Sequence, residues 1–172
     1  MFMTAVKSCN WRRKIVIFAS GIGSAIALWG CSANFFQPSD INWKTYTNSR
    51  YGFQFPYPSN WTTLASPENQ DGVELVSPQN KSVKIRSWAS KSLLESHTSE
   101  TQNGEQIKPN FQTVQGISGV LVVEVEQNIN VMKLTINQGK VKYYWQGQSN
   151  SQEFASNYRM FYYIAQAYKI RQ

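Results

Sequence analysis

Residues 121–145 read LVVEVEQNINVMKLTINQGKVKYYW, and this stretch decides the fold class. Leu121, Val123 and Val125 fall on alternate positions, as do Met132, Leu134 and Ile136, and then Val141, Tyr143 and Trp145. A period of two is that of a strand with one buried face. The connections at Asn128-Ile129-Asn130 and Asn137-Gln138-Gly139 are far shorter than a parallel crossover, so the three strands are predicted to form an antiparallel meander.

C-terminal to the meander the period changes. Phe154, Tyr158, Phe161, Ile164, Ala165 and Tyr168 recur at three- and four-residue spacing, and residues 149–151 offer oxygens for an N-cap. The reading is an aromatic helix packed on the apolar face of the meander. N-terminal to it, residues 72–76 and 83–86 alternate around the turn at Ser77-Pro78-Gln79-Asn80 and read as a hairpin. Residues 43–47 and 51–55 alternate large apolar with polar side chains, and Pro56, Pro58 and Asn60 are expected to interrupt pairing. Residues 91–100 read as a short helix with Leu93 and Leu94 inward, and polar residues 97–110 as a loop marked by Gly104 and Pro109. The class is α+β with a mainly antiparallel sheet.

The first thirty residues differ from the rest. Lys7, Arg12, Arg13 and Lys14 precede sixteen uncharged residues, 15–30, which is signal-peptide length and short of the ~20 apolar residues a spanning helix needs. The run closes on Leu28-Trp29-Gly30-Cys31, which resembles the bacterial lipobox. The implied chemistry is acylation of the Cys31 thiol, with small Gly30 giving a peptidase access to the bond. An uncleaved anchor helix and a plain signal peptide are the other readings of this segment. The expected organisation is a lipoprotein signal peptide at 1–30, a tether at 31–41 and one domain at 42–172.

Charge and cysteine content then exclude classes. Four of the seventeen basic residues lie in the signal, leaving thirteen against ten acids, so the mature chain is only modestly positive. That is weak ground for nucleic-acid binding, and no nucleic-acid partner is expected. Of the two cysteines, Cys9 leaves with the signal and Cys31 takes the lipid. No thiol remains for a disulfide, a redox pair or a cysteine metal site.

Residues 51–61, YGFQFPYPSNW, resemble the opening signature of PsbP-like domains, and the C-terminal order of strand, aromatic helix and short strand is similar too. The resemblance implies an α/β/α sandwich around an antiparallel sheet, and a non-catalytic protein of the kind that serves as an extrinsic subunit or assembly factor of photosystem II. Cyanobacterial members are often lipoproteins, as Cys31 would require. Read from the residues alone, the motif is scaffold: Gly52 for a turn, Phe53 and Phe55 on one face, Tyr57, Pro58 and Trp61 closing the core. Metal ligands of the family have no matching motif here and none is carried over.

Catalytic sets are sparse. His97 is the only histidine, and with no second histidine, serine elbow or free thiol it reads as a solvated residue at the end of a helix or in a loop. Glu124 and Glu126 share a strand parity and read as solvated partners of Lys133. Lys84, Arg86, Lys133 and Lys142 fall on the polar parity of their strands and form a candidate basic stripe facing a partner, without interleaved aromatics. No cofactor is expected beyond covalent lipid at Cys31. The expected function is a membrane-anchored, non-catalytic binding or assembly module for a membrane protein complex, photosystem II being the one the resemblance implies. It would lie outside the cytoplasm, in a thylakoid lumen or on a periplasmic face. The alternative is a general envelope lipoprotein with a structural or interaction role unrelated to photosynthesis.

Overall fold

The computed structural model describes residues 36–64, 70–91, 101–102, 105–106 and 108–171. The expected lipid site, the signal segment and His97 lie outside them, as does the expected helix at 91–100 apart from Lys91, which ends a strand.

Twelve strands and one helix appear among the described residues, in the order β1 Trp43–Thr47, β2 Phe53–Pro58, β3 Thr62–Thr63, β4 Gly72–Val76, β5 Lys84–Lys91, β6 Thr101–Gln102, β7 Glu105–Gln106, β8 Phe111–Gln112, β9 Ser118–Val125, β10 Ile129–Gln138, β11 Val141–Asn150, α1 Phe154–Gln166 and β12 Lys169–Ile170. The meander β9-β10-β11 is antiparallel throughout, with Leu121 opposite Leu134 and Leu134 opposite Trp145. The hairpin β4-β5 joins it through β11, giving a 7-stranded sheet of order β3-β4-β5-β11-β10-β9-β8. A separate 3-stranded sheet, β1-β2-β12, forms from the chain's early hairpin and its last strand. The polar stretch read as a loop contains the two-residue pair β6-β7.

Helix and small sheet bury the same face of the large sheet. Ile85, Met132, Leu134, Ile136 and Trp145 are fully buried on that face together with Phe161 and Ile164 from α1 and Phe53 and Phe55 from β2. Phe161 meets Trp145 edge-on at 6.2 Å. It fits because residue 147 of β11 is glycine: a Cβ there would stand 2.6 Å from the Phe161 ring. Phe53 and Phe55 stack on Tyr168 at 5.7 and 6.0 Å, so motif residues form the seam between the small sheet and the C-terminal end. Each such ring pair is worth ~0.5–1.5 kcal/mol beyond its buried area.

Local chemistry explains the departures from the sequence reading. Pro56 and Pro58 do not end β2; they pair with Thr45 and Trp43. β12 pairs only with Phe53 and Gln54, so beyond Gln54 that side of β2 is an edge, where a missing N–H costs no ladder bond. Pro38–Asp40 of the expected tether form a 3-10 turn, for which proline at its first position has the right φ, and Phe36 packs against Tyr163. The cap oxygen ahead of α1 comes from Asn150, whose Oδ1 accepts the Glu153 N–H at 2.8 Å.

Three of the expected core positions are misjudged. Tyr158 is 40% exposed, because the buried stripe of α1 runs through Phe154, Met160, Phe161, Ile164 and Ala165 and leaves residue 158 on the flank. Val123 and Val125 share the face of Leu134 but are 41% and 75% exposed, since α1 covers β10 and β11 rather than the outer strand. A helical layer on the second face, which the sandwich reading requires, is not seen among the described residues. The architecture they show is a mostly antiparallel sheet with one helix.

Candidate functional site

The second face of the large sheet is where the expected stripe lies. Register places Arg86 opposite Gln146, Gln146 opposite Lys133, and Lys142 opposite Asn137. Lys84, Arg86, Lys133 and Lys142 therefore share this face, away from α1, because each alternates with a core residue such as Ile85, Leu134 or Tyr143.

The cations are not a bare patch. Glu74 of β4 sits 3.4 Å from Lys84 and 3.2 Å from Arg86, and Glu124 pairs with Lys133. Lys84, Arg86 and Lys133 thus have an acidic neighbour, and each half-exposed pair is worth no more than ~1 kcal/mol. Glu126 lies past the end of β9, and the ion pair described for Lys133 is with Glu124. Its carbonyl accepts the Ser151 hydroxyl at 3.2 Å.

Between the cations lies an aromatic pair that the sequence reading missed. Trp88 and Tyr144 are directly opposite across β5 and β11 and stack at 4.9 Å with an interplanar angle of 14°. The Arg86 guanidinium lies 5.7 Å from the Trp88 ring centre and the Lys142 ammonium 5.4 Å from that of Tyr144. At exposed sites such contacts contribute ~0.5–1 kcal/mol each. Contrary to the expectation from sequence, aromatics do interleave with these cations: 86 and 88 share a parity, as do 142 and 144. A cleft of about 700 Å³ runs along this face, lined by Trp88, Tyr144, Lys142, Thr135, Lys133 and Val122 among others.

This surface suits binding. It has a half-buried flat aromatic centre with charged groups around it, the composition of a protein-contacting patch. Among the described residues no three histidine, cysteine, aspartate or glutamate side chains converge as metal ligands. The groups whose acidity is perturbed belong to the core. Burial pushes the Tyr168 hydroxyl well above its ordinary value, against a partial offset from Ser87, and burial and then Tyr51 raise Tyr143. A second cleft, about 660 Å³, lies at the motif end of the core beside Trp61. There the Asn80 carboxamide donates to Glu153 Oε2 at 2.6 Å, which ties the β4-β5 turn to the start of α1.

No protein-family model matches the chain, and no curated protein sequence does. Solved structures do resemble it. The solution structure of cyanobacterial PsbP (CyanoP) from Synechocystis aligns at 10% identity over 84% of this chain and 99% of that one, TM-score 0.46. A Bacteroides thetaiotaomicron crystal structure aligns at 12% identity, TM-score 0.50, over 75% of this chain and 48% of that one. The Saccharomyces cerevisiae Ran-binding protein Mog1p aligns at 12% identity, TM-score 0.49, over 76% and 96%. At these identities the likeness concerns the fold alone.

Proposed function

We propose that this chain is a lipoprotein anchored through Cys31 whose domain is a non-catalytic, PsbP-like binding module for a membrane protein complex of the photosystem II kind. The observation that carries the binding role is the open sheet face, where the Trp88–Tyr144 stack is flanked by Arg86 and Lys142. An anchor suits such a module, since confinement to a membrane raises the effective concentration of a membrane-bound partner.

Support for the anchor is the uncharged run at 15–30 ending in Cys31. Support for the PsbP-like reading is the 51–61 motif, of which Phe53 and Phe55 are buried in the core. The partner-facing residues are then those of the open face.

The test is affinity purification of the tagged full chain from photosynthetic membranes, wild type beside Trp88→Ala/Arg86→Glu. Recovery of photosystem II subunits with the wild type, reduced ~10-fold or more by the double variant, is expected, because a central aromatic–arginine pair carries a large share of such interfaces. Recovery of no photosystem subunit, or equal recovery with both proteins, contradicts the proposal.

A further inference from the structure

One edge of the large sheet ends before its strand does. β8 pairs with β9 only at Ser118 and Gly119, and Asn110 extends that pairing by one step. Its N–H donates to the Gly119 carbonyl at 3.1 Å, its Oδ1 accepts the Leu121 N–H at 2.8 Å, and its Nδ2 donates to the Leu121 carbonyl at 2.9 Å. The backbone groups of residues 119 and 121 therefore point to this edge. By the alternation of an antiparallel strand, those of Val123 and Val125 do too, while the Glu126 N–H turns inward to Ile129 at 3.0 Å. Among the described residues no strand pairs with 122–125 on that side. The edge is also apolar: Val122, Val123 and Val125 are all more than a third exposed.

We infer that residues 122–125 of β9 form a strand-addition site for an extended segment of another protein, with apolar residues opposite Val123 and Val125 and a basic residue between them. A strand edge of this kind offers backbone donors and acceptors that only another extended backbone satisfies in full.

Register tells a foreign segment from a second copy. Self-pairing that uses the edge groups of both Val123 and Val125 sets Val123 against Val125 of the copy, and so Glu124 directly against Glu124. Like charges in that position oppose pairing. Shifting to Val123 against Val123 sets Val125 against Leu121, whose N–H and carbonyl Asn110 already holds. A basic residue opposite Glu124 has neither fault and joins the Glu124–Lys133 pair on the open face.

The test uses the blocked peptide Ac-TVKVKVT-NH2 as probe, titrated to ~1 mM into the ¹⁵N-labelled full chain in zwitterionic detergent. Expected are shifts of the Val123 and Val125 amides and about tenfold slower hydrogen exchange there. Binding should be weaker by about tenfold or more for Ac-TVEVEVT-NH2. It should be lost when the valines of the probe are N-methylated, and lost in Val123→Pro. That variant keeps its β9–β10 ladder because the missing N–H faces the open edge, and the N-methylated probe makes the test independent of its folding. The inference is overturned if the β9 amides do not respond, if the two peptides act equally, or if sedimentation shows a dimer that Val123→Pro dissociates.

Discussion

Gly147→Ala and Phe161→Ala should compensate for one another. Gly147 lies on β11 opposite Met132 and Ile85, facing α1. A Cβ added there stands 2.6 Å from Cγ and Cδ1 of Phe161 and 2.8 Å from Cη2 of Trp145, whereas ordinary contact begins near 3.4 Å. Both rings are fully buried, so neither swings aside without moving α1 or the sheet. Overpacking of this sort costs ~1–3 kcal/mol for Gly147→Ala. Phe161→Ala removes a fully buried ring and costs ~3–5 kcal/mol. In the double variant the Phe161 atoms that the added methyl at position 147 strikes are gone, and the cavity left by that ring takes up the methyl and gives the Trp145 ring room to move off the remaining 2.8 Å contact. The double should therefore cost no more than Phe161→Ala alone, a coupling of ~1–3 kcal/mol against additivity. Urea unfolding followed by tryptophan fluorescence measures it, read as midpoints at constant m. Phe161→Leu carries the same cycle if the alanine variant leaves too short a native baseline. Additivity within ~0.5 kcal/mol would refute the packing of α1 on β11 through this contact.

Tyr168 should make the fold sensitive to alkali. Its hydroxyl is buried beside Ser87, at 3.4 Å, and stays protonated in the folded state, whereas the unfolded chain ionises it near its ordinary value of 10.0. The stability this holds is complete below pH 10 and falls above it by up to ~1.4 kcal/mol per pH unit. Thermal unfolding of Tyr168→Phe between pH 9 and 11 should show a flatter decline than the wild type, and an identical slope would count against the burial. Gly52→Ala should cost ~1–2 kcal/mol by chemical denaturation, since Gly52 has φ +70° and a Cβ added there would stand 3.3 Å from the Arg171 Cβ; no loss would mean that the turn relaxes freely.

Much of the architecture is legible in the sequence because it is local. The alternation in 121–145 specifies which residues of β10 and β11 face inward, and two short connections leave only antiparallel pairing. What resists reading is set by neighbours distant in the chain. Whether Pro56 ends a strand depends on how far β12 runs beside it. Whether Val123 is covered depends on which strands α1 crosses, and nothing in LVVEV encodes that. Tyr158 obeys the helical period yet lies on the flank, because the period sets a stripe and not its orientation. The common parity of Lys84, Arg86, Lys133 and Lys142 is local and readable. The pairing of Lys84 and Arg86 with Glu74 and of Lys133 with Glu124 needs the order β4-β5-β11-β10-β9. Trp88 and Tyr144 were within reach: each stands two residues from a stripe cation, and that shared parity is the signal that finds them.

The proposed anchor at Cys31 is what would make this domain a membrane module, so metabolic labelling with palmitate tests the central claim most directly. Wild-type chain expressed in its native type of cell should incorporate label and sediment with membranes, while Cys31→Ser should do neither. Label retained by Cys31→Ser, or absent from the wild type, would contradict it.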